Sequence, residues 1–188
     1  KRTVTAHREN NVSLKLDVSK VYFSPRQATE RQRVFLQIKK PETVLVMFSG
    51  IGPFTIEIAK NTPSKAVYGI ELNRTAHKFA VENTKLNKVD ARVKLFCGDV
   101  RKIAPKLKRK FDRIIMPLPK GAEAFLGVAF SAAKKGTIIH FYDFEKEEDI
   151  PGKSVEKVTT AAATAKKKIK VLNVVKCGQL APRAYRVC

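Results

Sequence analysis

The sequence predicts an α/β protein built on a doubly wound, mostly parallel sheet, with a small N-terminal β-hairpin plus helix as an extension. From Val44 onward, short apolar runs alternate with amphipathic stretches. Strands and crossover helices in alternation make a parallel sheet covered on both faces. Residues 1–40 break that rhythm with two strand-like runs around a polar turn. The length, 188 residues, suits one domain with a small appendage. Residues 1–40 are therefore read as the extension and residues 41–188 as the main domain.

In chain order, residues 4–7 and 13–18 flank Glu9-Asn10-Asn11, a turn signal that makes them a hairpin. Ser24-Pro25 opens a helix to about residue 38, with proline near its first position. Strands are expected at 43–47, 66–70, 93–96, 113–116 and 137–141. Helices are expected at 54–60, 74–86, 101–107 and 121–134, with apolar residues three or four apart, as in Phe125, Val128 and Ala129. The acidic segment 143–152 reads as an exposed loop and the Ala- and Lys-rich segment 159–168 as a solvated helix. Segments 170–175 and 183–187 are expected to add two strands at one edge of the sheet.

Composition narrows the partners. Lys and Arg number 38 against 17 Asp and Glu, a net charge of +21. Such an excess repels itself in the folded state, and a polyanionic partner, nucleic acid first, explains it. Lys102, Lys106, Lys108, Arg109 and Lys110 form one basic run, and Lys166, Lys167, Lys168 and Lys170 another. No stretch approaches the roughly 18 apolar residues of a membrane span. Cys97, Cys177 and Cys188 lack metal or disulfide spacing, and His7, His77 and His140 are scattered. No metal is therefore expected, and a reducing, cytoplasmic compartment is. Lys1-Arg2 is not followed by an apolar run, so no signal peptide is read there. With no initiator Met and a last residue in an apparent strand, the sequence is read as a fragment of a longer protein.

The sharpest local feature is the strand–turn–helix run Leu45-Val46-Met47-Phe48-Ser49-Gly50-Ile51-Gly52-Pro53-Phe54. Glycines there let a ligand approach the backbone, and a helix N-terminus favours negative charge. A dinucleotide fingerprint asks for a third glycine to bring helix and strand close, yet Thr55 stands there and Pro53 intervenes. An S-adenosylmethionine site asks instead for an acid after the second strand to accept the ribose hydroxyls, which Glu71 supplies. It also asks for a polar group after the third strand near the adenine, which Asp99 supplies. Each acid has an alternative role as a helix cap, but the three features in order favour adenosylmethionine. Phe48, Gly50 and Gly52 would form the floor of this site. After the fourth strand, Met116-Pro117-Leu118-Pro119 leaves only the Pro117 carbonyl to act as an acceptor; its other role is to stop the strand.

Taken together, Val18-Ser19-Lys20-Val21-Tyr22-Phe23-Ser24-Pro25-Arg26, Ala28-Thr29-Glu30-Arg31, Met47 to Phe54, Asn83-Thr84-Lys85-Leu86-Asn87-Lys88 and Cys177-Gly178-Gln179-Leu180-Ala181-Pro182-Arg183 resemble the archaeal and eukaryotic tRNA guanine-N1 methyltransferases. Those enzymes modify position 37 of the anticodon loop. The resemblance covers nearly the whole chain and implies a Rossmann-like class I methyltransferase fold. It places Ser24, Arg31, Glu71, Leu72, Asp99 and Val100 at the cofactor and gives Glu30 the role of general base. The alternative role for Glu30 is an ion pair with Arg26, Arg31 or Arg33 on one helical face. Two positions depart from the family: Val46 stands where it usually has Asp, and Pro117 where it often has Asn. The family's N-terminal tRNA-recognition domain and a linker arginine are expected to lie outside this sequence. The expected activity is therefore methyl transfer from S-adenosylmethionine to guanine N1 in the tRNA anticodon loop. The alternatives are the related wybutosine-pathway aminocarboxypropyl transfer and a non-catalytic RNA-binding module.

Overall fold

Hydrophobic periodicity translates directly into the layers of the molecule, a computed structural model in which residues 3–188 are described. The hairpin pairs β1 (Val4–Glu9) with β2 (Val12–Asp17) through Asn10 and Asn11, both left-handed at φ 43° and 63°. Asparagine tolerates that conformation, and a two-residue turn of this hand matches the strand twist. A short 3₁₀ turn led by Pro25 then runs into α1 (Ala28–Phe35).

The chain continues as β3 (Thr43–Met47), α2 (Pro53–Asn61), β4 (Ala66–Glu71), α3 (Arg74–Leu86), β5 (Val93–Cys97), α4 (Val100–Lys106), β6 (Phe111–Met116), α5 (Leu126–Ala132) and β7 (Ala133–Phe141). The five strands pair in parallel in the order β5-β4-β3-β6-β7. Alternate residues of β3 face opposite layers. Val44 and Val46 join a cluster with Ile56, Ile58 and the hairpin's Leu14 and Leu16, while Leu45 and Met47 join another with Ile114, Leu126 and Phe130. The hairpin thus shares the core of the sheet.

The chain ends as β8 (Asp143–Lys146), α6 (Gly152–Thr164), β9 (Lys176–Ala181) and β10 (Ala184–Val187). Here three expectations fail. Segment 170–175 is not a strand, and β9 and β10 do not extend the parallel sheet; they pair antiparallel with β8 in a sheet of their own. Segment 143–152 is not simply an exposed loop, because Asp143 and Glu145 are buried. Glu145 accepts the Ser154 N–H (2.8 Å) at the start of α6, and Asp143 accepts Lys157 (2.6 Å). Charge in the sequence marked exposure, whereas these carboxylates are consumed as helix and lysine partners. Helix α5 also stops at Ala132, short of its expected end, while α1 ends at Phe35 and continues as turns to Ile38.

Asn83 ties the hairpin to α3 and the glycine turn. Fully buried on α3, it accepts the Lys15 N–H (2.7 Å) and donates to the carbonyls of Lys15 (3.0 Å) and Ile51 (3.1 Å). Asn83→Ala leaves these backbone groups without partners and should cost about 2–3 kcal/mol in a urea titration. A cost below about 0.5 kcal/mol, the level of an ordinary surface change, would mean that the hairpin is held by its apolar contacts alone.

Candidate active site at the carboxyl ends of the strands

In an open parallel sheet the crevice for a ligand lies where successive crossovers diverge. Here the chain moves from β3 outward to β4 and β5, then returns to β6 on the other side of β3. The carboxyl ends of β5, β4, β3 and β6 carry Asp99, Glu71, the Phe48–Gly52 turn and Pro117 in that spatial order. These expected residues are gathered in one row.

The turn after β3 is held in an uncommon shape. Phe48 (φ 60°), Gly50 (58°) and Gly52 (92°) all lie in the left-handed region. Left-handed phenylalanine is costly and persists only where the surroundings hold it. Those surroundings are visible: the Ser49 N–H donates to the Ile70 carbonyl (2.9 Å) and the Gly50 N–H to Glu71 Oε2 (2.7 Å), while Phe125 meets Phe48 edge-on at 4.8 Å. The space beside Gly50 is open, as close approach of a ligand to this backbone requires. Glu71 Oε1 accepts the Asn73 N–H (2.7 Å), so backbone amides fix its carboxylate and leave lone pairs on both oxygens. Proline at the first position of α2 completes the turn.

Close helix–strand packing is achieved without the third glycine of a dinucleotide turn. The glycine sits on the strand instead: a Cβ on Gly69 would lie 2.8 Å from Leu95 and 2.9 Å from the Thr55 methyl. Val46, paired between Gly69 and Ile115, is fully buried in the core.

Asp99 caps α4 through the Arg101 N–H (2.8 Å) and pairs with the Arg101 guanidinium, which holds its carboxyl down at about 2. Of the two roles weighed from the sequence, the structure shows the helix cap. Leu72 is exposed beside Glu71, and Val100 is buried at the start of α4. Pro117 is bracketed by a tight turn in which the Leu118 N–H donates to the Met116 carbonyl (2.7 Å).

Glu30 and Arg31 lie apart from that row. Arg31 is buried, with Nε donating to Glu57 (2.9 Å), Nη2 to the Ser24 carbonyl (3.2 Å) and a close ion pair to Glu9. Burial, and after it the hydrogen bond with Glu9, raise the Glu57 carboxyl to about 9 against the opposing pull of the Arg31 guanidinium. Glu30 is buried on the neighbouring face of α1. It accepts two bonds from Arg33 (2.7 Å each), the helical pairing anticipated from the sequence, and one from the Tyr142 hydroxyl (2.6 Å). Tyr142 directly follows β7, so this contact brings Glu30 to the carboxyl edge of the sheet. Tyr142 was not recognised in the sequence, where its position after a strand was the only available signal, and Phe125 was read only as an apolar helix residue. Among the described residues, no group of three or more His, Cys, Asp or Glu is arranged to hold a metal ion, and no helix is long and apolar enough to cross a membrane.

Strand order, glycine turn and strand-end acids together define a Rossmann-like domain of the methyltransferase type. Residues 5–172 match the TRM5/TYW2 methyltransferase domain, and the chain belongs to that family. It is 45% identical over 185 residues to the tRNA (guanine(37)-N(1))-methyltransferase Trm5b of Pyrococcus abyssi, covering 98% of this chain and 54% of that protein. The crystal structure of that relative superposes with a TM-score of 0.90. TYW2 of M. jannaschii, solved in complex with AdoMet, is 33% identical with a TM-score of 0.91, over 100% of this chain and 84% of that one. A complex of aTrm5 and tRNALeu aligns at 33% identity and a TM-score of 0.84, over 100% of this chain and 52% of that one. The chain spans about half the length of the Trm5b relatives it matches.

Arg31 is the test of how β1 and α1 are held against α2. Arg31→Met leaves the buried Glu9 and Glu57 carboxyl groups without their guanidinium partner and should cost about 3–5 kcal/mol by chemical denaturation. A variant as stable as the parent would show that the cluster holds nothing together.

Proposed function

We propose that this protein transfers a methyl group from S-adenosylmethionine to N1 of guanosine 37 in the tRNA anticodon loop, acting in the cytoplasm. The row of strand ends at the switch point, with Glu71 fixed beside an open glycine turn, carries this reading. The names of the similar proteins agree with it: Trm5b of Pyrococcus abyssi is a tRNA (guanine(37)-N(1))-methyltransferase at 45% identity, whereas the aminocarboxypropyltransferase of Pyrococcus horikoshii stands at 35%. S-adenosylmethionine, when bound, supplies an electrophilic methyl group.

The roles assigned to the residues are those the family resemblance implies. Glu71 accepts the ribose hydroxyls with its remaining lone pairs, and Asp99 lies at the adenine end. Phe48, Gly50 and Gly52 form the floor, Leu72 and Val100 flank it, and the Pro117 carbonyl borders it from β6. Ser24 and Arg31 act from the α1 side, where the Ser24 carbonyl accepts from Arg31. Guanine N1 is protonated at neutral pH, so its attack on a methyl group requires an acceptor within roughly 3 Å, and Glu30 supplies the carboxylate. A base in a single-stranded loop can be splayed out to reach such a site at modest unstacking cost. The exposed lysines and arginines at 102–110 and 166–170 are suited to phosphate contact.

Calorimetry with S-adenosylmethionine tests the cofactor site. Glu71→Ala removes a charge-assisted acceptor and should lose about 1.5–3 kcal/mol of binding. Equal affinity would remove Glu71 from the site. For the reaction, mass spectrometry of tRNA incubated with the full-length protein and cofactor should show a methyl increment, not an aminocarboxypropyl one. Glu30→Gln should slow the transfer by about 10²–10⁴-fold with both substrates still bound, the loss shrinking at high pH where N1 ionises unaided. An unchanged single-turnover rate would leave Glu30 a structural partner of Arg33 and Tyr142.

A further inference from the structure

We infer that Tyr142 is a positioning residue for the Glu30 carboxylate, that Oε2 of Glu30 receives the proton from the substrate, and that Arg33 is the partner Oε2 gives up. This rests on the methyl-transfer reading above. The two carboxylate oxygens are not equivalent. Oε1 accepts from both the Tyr142 hydroxyl (2.6 Å) and Arg33 Nη2 (2.7 Å), whereas Oε2 accepts from Arg33 Nε (2.7 Å) alone among the described residues. The two donors differ as well. Tyr142 is 2% exposed, while the Arg33 side chain is 31% exposed. An arriving N1–H needs a carboxylate oxygen with a lone pair to spare and a partner that can swing into solvent; Oε2 and Arg33 meet both needs. The buried tyrosine meanwhile keeps Oε1 in place.

Tyr142 is well placed for this. It follows β7 at the carboxyl edge, and its ring lies 6.3 Å from Phe54, near the start of the helix that leaves the glycine turn. The base on α1 is thereby tied to the edge where the methyl donor is proposed to sit. The titratable groups around Glu30 are Arg33 on α1, Tyr142 after β7, Cys177 on β9 and Cys188 after β10. Burial pushes the Cys177 thiol up to about 12 and the Cys188 thiol up to about 11, so both are neutral at pH 7. Burial likewise raises the Tyr142 phenol, which stays a donor. In the step itself, N1 forms a bond to the methyl carbon while the methyl–sulfur bond breaks with its electron pair left on sulfur. The N1 proton passes to Oε2.

Single-turnover methyl transfer across pH, in the full-length protein, decides the matter. Tyr142→Phe should slow the reaction about tenfold or more by misplacing the carboxylate, with tRNA KM and cofactor Kd retained. Its acid limb should move to higher pH, because a donor to the charged form is lost. Arg33→Gln should move that limb in the same direction, and it decides the case if Tyr142→Phe fails to fold on thermal melting. Added to Glu30→Gln, Tyr142→Phe should cost nothing further, whereas a purely structural tyrosine would multiply the losses. Rates and limbs like those of the parent, or multiplied losses in the double variant, overturn the inference while leaving an active parent enzyme. A parent that transfers no methyl group to tRNA removes the functional reading and this inference together.

Discussion

The buried guanidinium of Arg31 joins three elements that the chain presents separately: the end of β1 through Glu9, α2 through Glu57, and the loop before α1 through the Ser24 carbonyl. Burying such ions is expensive, and a buried pair is a weak contributor to net stability, but it admits few geometries. That restriction governs the orientation of α1. Glu30, one residue earlier, lies roughly 100° around the helix. Arg31 facing α2 and the hairpin therefore leaves Glu30 facing Tyr142 at the edge of the sheet. The proposed base is positioned by its neighbour's ion pair as much as by its own bonds.

A second constraint acts at the carboxyl ends of β3 and β4. Gly69 lets Thr55 approach the strand, and the carboxylate of Glu71 receives the backbone of the glycine turn. Glu71 is thus both part of the turn's scaffold and a candidate ligand contact. Glycine on the strand does here what a third glycine in the turn does in dinucleotide-binding domains. The same register explains the burial of Val46, which sits between Gly69 and Ile115 in the middle of the sheet.

Burial also reshapes the charge. Among the described residues the carboxyl groups of Glu9, Asp17, Glu30, Glu42, Glu57, Asp143 and Glu145 are buried, against the guanidiniums of Arg31 and Arg113. Acidic groups are spent on interior partners, as Glu42 is on Arg113 at 2.8 Å. The surface is consequently more basic than the net charge of +21 alone conveys. A field of that sign attracts polyanions and accelerates their encounter.

Local pattern was sufficient for the parallel sheet, its helices, the hairpin and the strand-end acids, because apolar periodicity and turn chemistry are carried by neighbouring residues. Resemblance to the methyltransferase family, and not periodicity, singled out Glu30. The acidic segment after β7 was misread because side-chain charge alone does not reveal a partner such as Lys157 or the Ser154 amide. Segment 170–175 has strand-like composition, yet whether it joins a sheet depends on which edge is free, a long-range matter. Tyr142 was invisible for the same reason: its bond to Glu30 spans 112 residues. The sequence by itself determined the hairpin, the five parallel strands and most of their crossover helices, and placed the glycine turn, Glu71 and Asp99 at strand ends. Only the tertiary structure decided which buried donors hold Glu30, because such contacts arise from packing between distant segments.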